Sequence, residues 1–267
     1  MGFVRVSRRW LAAAMLLAAA APQAWGWNEL VHRAVARVAH ERLTPEAERR
    51  HRLLMGVGSK LEDVAGWADQ IIEERPETEA WHSITIPPDA TEIDLDRDCP
   101  VGDCSPVKVR ECVGIVRLAF KTKPEIIEAF QFLVSLTVDL HHPLNAGYPP
   151  GGGGDVVPVV LEGRDMRLRH AWDGPILGDD DDVDALADRI RSHITSENAR
   201  EWSRGTLKDW TWETHLTAVR VAYGGLPQGS PKKLDEAYIR QARTAAEIQL
   251  AKAAVRLAAL LNETWLQ

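Results

Sequence analysis

Phe-Leu-Val-Ser-Leu-Thr-Val-Asp-Leu-His-His-Pro-Leu-Asn, residues 132–145, is an apolar run that carries a serine, a carboxylate, two histidines and an asparagine. From Pro124 to His142 it reads as one helix, and side chains three and four apart on a helix share a face. Ser135, Asp139 and His142 therefore fall on one stripe, so a single helix offers ligand-type side chains to one place. Outward from this run lie further residues of the same chemistry. Trp67-Ala68-Asp69 and Trp81-His82 precede it; the glycines 151–154 before Asp155, and His170-Ala171-Trp172-Asp173, follow it. A tryptophan beside an acid or a histidine is commonly a core or cap residue. One such pair carries no weight, whereas an ordered series of them does.

The amino terminus adds an unusual donor. Arg5, Arg8 and Arg9, the apolar stretch from Trp10 to Ala21 and the small-x-small site Ala24-Trp25-Gly26 read as a secretory signal over residues 1–26. Ser7-Arg8-Arg9-Trp10-Leu11 also bears a loose likeness to a twin-arginine signal. A cut after Gly26 frees the α-amino group of Trp27, which with its own carbonyl can close a five-membered chelate on a metal ion. His32, five residues along, can reach the same ion from a starting helix.

Taken together, these residues resemble the zinc-dependent single-strand-specific nucleases of the S1/P1 nuclease family, relatives of the bacterial zinc phospholipases C. The resemblance runs through nearly the whole mature chain, including Asp235 to Asn262. It implies an all-α fold, a compact helical domain over residues 27–267, and a secreted or periplasmic phosphodiesterase. It also implies one ion held by Trp27, His32 and Asp139 and another by Asp69, His82 and Asp139, with Asp69 also orienting the attacking water. A disulfide between Cys99 and Cys104 around Pro-Val-Gly-Asp is expected from the same likeness, in an oxidising compartment. Cys112 is left over, in a helical stretch, as a buried thiol.

Three of the family's nine ligand positions are replaced. Ser135, Asn145 and Arg169 stand where the family has histidine. Two of these belong, with Asp173, to the family's second and more distant ion. Arginine does not lose its proton to bind zinc and repels a cation in the same place. The expectation is one or two zinc ions rather than three, with Asp173 left as a ligand without a set. An Arg169–Asp173 salt bridge is expected to fill the gap, and Arg169 is expected to hold phosphate in place of the missing charge. Ser135 is expected to hold a water where a histidine is missing, or His142 to swing in. Because ligands are lost, the alternative to an active nuclease is a catalytically impaired protein that binds zinc, nucleotides or a protein partner.

Composition constrains the partner. Three of the 32 Lys and Arg lie in the leader, leaving 29 against 39 acids, a net charge of about −10 in the mature chain. Such a surface does not hold nucleic acid by itself, so single-stranded nucleic acid or a nucleotide must be drawn by metal ions and a few placed cations. Beyond the leader no apolar segment is long enough to span a bilayer, and a soluble monomer with no stable membrane association is expected. The glycine run lacks the Lys-Ser/Thr and following helix of a phosphate loop, and no nucleophile elbow surrounds Ser83 or Ser135.

Periodicity predicts helices near 30–38, after the Thr44-Pro45 cap, and over roughly 60–74, 107–121, 124–142, 183–202, 206–223 and 235–263. Strands are predicted only at Ser83–Ile86 and Val156–Leu161. The acidic run Asp179–Asp182 reads as a solvated loop and helix start.

Overall fold

The computed structural model describes residues 26–117, 121–147, 153–178 and 182–265. The leader up to residue 25, Tyr148, Gly151, Gly152 and Asp179–Asp181 lie outside the described residues. Among the described residues eleven α-helices follow one another: α1 Glu29–His40, α2 Pro45–Met55, α3 Trp67–Gln70, α4 Leu95–Asp98, α5 Ser105–Arg117, α6 Lys123–Asp139, α7 Leu168–Asp173, α8 Val183–Ser192, α9 Ser196–Trp202, α10 Leu207–Thr217 and α11 Glu236–Thr264. The fold is all-α, as the periodicity and the resemblance both imply, with one small sheet at its side.

Local chemistry sets the helix starts. Asn28 caps α1, its side chain accepting from the Val31 amide at 3.0 Å, and Thr44 caps α2 ahead of Pro45. Thr122 and Glu125 form a reciprocal capping box on α6. Asp182, at the end of the acidic run, caps α8. From Ala129 to Asp139 α6 is buried on almost every side, so it runs through the middle of the molecule rather than along its surface. α1 packs on α8 and α11, and α5 lies along α6. The alanine-rich stretch of α11, with Ala242, Ala246, Ala251, Ala254 and Ala258 all buried, permits that close approach.

Several predicted elements are divided. The stretch 60–74 is a short 3-10 turn, Leu61–Asp63, and the single-turn α3. Residues 183–202 break into α8 and α9, because Thr195 and Asn198 make a fresh capping box after His193. The predicted helix over 206–223 is α10 continued as a π-helical turn, Ala218–Tyr223. The predicted strand Ser83–Ile86 joins no sheet; the Ile84 amide donates to the Asn145 carbonyl at 2.8 Å, and the Ser105 amide donates to the Ser83 carbonyl at 3.0 Å. Of 156–161, Pro158–Leu161 does form β1, paired antiparallel with β2, Arg164–Arg167, and parallel with the two residues of β3, Lys232–Lys233. Glu162 and Gly163 both take positive φ, 51° and 81°, the tight hairpin turn that matches strand twist. That hairpin runs directly into α7. Cys99 and Cys104 are joined as expected, and Cys112 is buried and free, with burial pushing its thiol up to about 12. No helix among the described residues is long and apolar enough to cross a membrane.

Candidate metal centre

Three elements converge on the end of α6. Asp139 is its last residue and is fully buried. α1 presents His32, α3 presents Asp69, and the 3-10 turn Pro76–His82 presents His82. His32 Nε2 lies 3.2 Å from Asp139 Oδ1 and 3.7 Å from Asp69 Oδ2. His82 Nδ1 lies 2.8 Å from Asp139 Oδ2 and 3.6 Å from Asp69 Oδ1. Each carboxylate thus gives one oxygen to each imidazole. Asp69, His82 and Asp139 form a group whose ligand atoms lie close enough together to hold one metal ion.

The electrostatics describe a site in which protons stand where cations would. Burial pulls the His32 pKa down, but the charge and hydrogen bond of Asp139, with Asp69 behind it, carry it up to about 9. Burial likewise opposes the His82 shift and is outweighed by Asp139, so His82 is also raised. Asp139 is held well below the usual carboxylate range, burial notwithstanding, by the two histidines. Burial and the neighbouring Asp139 push Asp69 up to about 6, though it is the one of the four with solvent access, 26 % exposed at its side chain. His32 Nδ1 and Nε2, His82 Nε2, Asp69 Oδ1 and Asp139 Oδ1 are buried with no hydrogen-bond partner of good geometry. So many orphaned polar atoms in one interior place are what a cation would satisfy. Two carboxylates and two imidazoles are a donor set that suits zinc.

Trp27 closes the site on the α1 side. It is 1 % exposed, and its ring meets His142 edge-on at 4.4 Å. The Asn28 amide donates to the Asp173 carbonyl at 2.7 Å, which fixes the chain entering α1. The residue ahead of Trp27 is pressed onto the ligands: a Cβ built on Gly26 would overlap Asp139 Oδ1, the same oxygen that faces His32.

The expected second-ion position is built otherwise. Arg169 makes no ion pair with Asp173. Its Nε donates to Asp155 Oδ2 at 2.9 Å, one terminal nitrogen to Asn145 Oδ1 at 2.8 Å and the other to the Leu144 carbonyl at 3.1 Å. Asp173 Oδ1 instead lies 3.3 Å from His142 Nε2. Burial, and then the Arg169 charge, holds His142 well below its ordinary pKa, while burial keeps Asp173 well above its own. His142 Nδ1 accepts from the Leu144 amide at 3.1 Å, so the imidazole proton sits on Nε2, facing Asp173. That tautomer has no lone pair to give an ion from Nε2. With a guanidinium on Asn145 and a protonated nitrogen on Asp173, these residues do not fit a metal ion.

Nor does His142 substitute for the histidine missing at 135. α6 ends at Asp139, so His142 leaves the predicted stripe and points to Trp27 and Asp173. Ser135 holds protein rather than a water: its hydroxyl donates to the Ala65 carbonyl at 2.7 Å, with the Ala68 amide 3.5 Å away. His141 donates from Nδ1 to the Thr137 carbonyl and accepts from buried Arg256 at 3.1 Å. Trp210 packs under that arginine and Trp212 stacks on His215, whereas Trp67 and Trp81 both pack on Phe132. Asp155 entered the sequence reading only as the residue after the glycine run, and Tyr223 was not singled out; the one available signal for Tyr223 was Gly224-Gly225 directly after it.

The chain is similar to Endonuclease 2 of Arabidopsis thaliana, 27% identical over 91% of this chain and 92% of that one. It is similar to Nuclease S1 of Aspergillus oryzae, 26% identical over 89% and 91%, and to Nuclease P1 of Penicillium citrinum, 26% over 89% and 97%. The sequence model of S1/P1 nucleases matches residues 27–265, from Trp27 almost to the last residue, and the chain belongs to the S1/P1 nuclease family.

Proposed function

We propose that this protein is an exported zinc-dependent nuclease that hydrolyses phosphodiester bonds of single-stranded nucleic acid with a reduced metal set. The observation that carries the reading is the division of Asp139 between two imidazoles, His32 on Oδ1 and His82 on Oδ2. A carboxylate so divided would serve two ions, one that His32 and the freed amine and carbonyl of Trp27 would hold with it and another that His82 and Asp69 would hold with it. Zinc at these places supplies Lewis-acid polarisation of the phosphoryl oxygens and a water acidified towards neutrality. The chain's own residues do the rest. Asp69, the solvent-reached carboxylate, orients the water, and the burial of His32, His82 and Asp139 keeps competing water away from the ligands. Arg169, held rigidly by three acceptors, offers its remaining N–H groups to the phosphate where the family's second ion would stand. Asp173, paired with His142, is not a ligand in this reading.

Removal of Gly26 matters because it vacates the space beside Asp139 Oδ1 and converts the Trp27 amide to an amine. The mature chain beginning at Trp27 is therefore expected to carry two zinc ions by mass spectrometry and to cleave single-stranded DNA. A form that retains Gly26 is expected to fold with one ion fewer and to lose that cleavage. Three stoichiometric ions in the mature chain, or equal zinc and equal cleavage in both forms, would overturn the assignment.

A further inference from the structure

The π-helical turn after α10 has a local cause and a spatial result. The Gly224 amide reaches back five residues to the Val219 carbonyl at 3.0 Å, and the Gly225 amide donates to the Val221 carbonyl at 3.1 Å. A Cβ at 224 would overlap the Val219 carbonyl, so the glycine pair is what lets the turn close. π-turns inside helices occur frequently at functional sites. This one is docked onto α7 by a hydrogen-bonded chain: the Trp172 indole donates to the Tyr238 hydroxyl at 3.0 Å, and that hydroxyl donates to the Ala222 carbonyl at 2.8 Å.

Tyr223, next in the chain, is thereby set against the Asn145–Gly147 loop. A Cβ on Gly147 would stand 3.1 Å from its ring. Arg169 and Asp155 act electrostatically on its phenol, and the Gly154 amide faces its oxygen. The buried hydroxyl has no hydrogen-bond partner of good geometry. With an amide directed at its oxygen, its own proton remains to donate. Arg169 is in a similar position. Three of its five N–H groups are committed to protein acceptors, and the side chain is 16 % exposed, leaving one N–H on each terminal nitrogen. Asp155 offsets its charge, so the pair acts as a set of fixed donors beside the metal centre rather than as a free cation.

We propose that Tyr223 and Arg169 form a metal-free clamp for a phosphoryl oxygen, so that the chain binds the phosphate of a nucleotide where its family places a further ion. The proposal rests on the nuclease reading for its substrate class, but its test does not require turnover. The probe is adenosine 5′-monophosphate, titrated calorimetrically into the zinc-loaded mature chain, with adenosine as the phosphate-free control. Tyr223→Phe is expected to weaken the monophosphate about tenfold, the effect of one hydrogen bond to a charged group, and to leave weak adenosine binding unchanged. Zinc content and urea midpoint are expected to stay as in the parent, because the hydroxyl removed satisfies no protein acceptor. Arg169→Lys, which keeps the charge and loses the fork, is expected to weaken the monophosphate at least as much.

Unchanged monophosphate affinity in Tyr223→Phe, or a parent that binds monophosphate no better than adenosine, would overturn the clamp. A loss that affects adenosine equally would assign Tyr223 to the base and overturn it as well. If the parent binds monophosphate through Tyr223 but cleaves no nucleic acid, the clamp stands and the nuclease reading falls.

Discussion

At the scale of the residue, the centre is governed by protons that compete with metal. His32 has its pKa raised from 6.5 to about 9, so the native chain holds this proton more tightly than the unfolded chain does. Its contribution to stability is therefore complete below pH 6.5 and is lost as pH rises through about 9. A chelator-stripped chain is expected to unfold at lower urea between these two pH values, and His32→Gln is expected to remove that slope; equal slopes would show that the proton is not held there. The same shift predicts proton release on zinc binding at pH 7.5, because the imidazole must be neutral to be a ligand. Calorimetry in two buffers of different ionisation enthalpy would read this as a buffer-dependent heat. Asp139 works in the opposite direction. Its depressed pKa contributes stability at neutral pH that is lost in acid.

At the scale of the element, Ser135 ties two segments together. It joins α6 to the turn before α3 through the Ala65 carbonyl, in a fully buried place. Ser135→Ala is expected to cost about 1–3 kcal/mol in urea unfolding, the penalty for a buried carbonyl without its donor, with zinc content unchanged. A fall in zinc would instead make the hydroxyl part of the metal environment. This also explains why α6 looked richer in ligands than it is. Its periodicity was legible from Pro124 onward, but the helix stops at Asp139, and the three residues to His142 turn that imidazole towards α7. Helix ends are set by which carbonyls find other donors, and a pattern of apolar spacing does not carry that information. The break between α8 and α9 was missed for the same reason, although Thr195 and Asn198 did write a capping box into the sequence.

At the scale of the whole molecule, α11 holds the helices around the centre through one buried cation. Arg256, 1 % exposed, donates to Glu213 at 2.7 Å, to the Trp202 carbonyl at 3.0 Å and to His141 at 3.1 Å, and lies over the Trp210 ring. It thus joins α11 to α9, α10 and the segment just after α6 at once. Arg256→Ala is expected to destabilise the protein by about 3 kcal/mol, less than the loss of a fully buried pair because Glu213 is partly solvated. Zinc affinity should follow only as far as folding does; a midpoint within error of the parent would show that the arginine is dispensable.

The residues by themselves determined the helical class and the cap of α2, and resemblance brought the Cys99–Cys104 pairing and the expected set Trp27, His32, Asp69, His82 and Asp139, of which Asp69, His82 and Asp139 stand together. The class and the cap follow from local periodicity and cap chemistry, and the pairing and the ligand set from the family likeness. Tertiary structure alone decided which oxygen of Asp139 meets which imidazole, that Arg169 binds Asp155 and Asn145 rather than Asp173, that His142 turns its Nε2 towards Asp173, and that a π-turn brings Tyr223 to the same place. Each of these depends on distances between residues far apart in sequence and on the direction of a buried polar group. In the interior that direction is set by whichever acceptor is nearest in space, and the linear order of residues does not specify it.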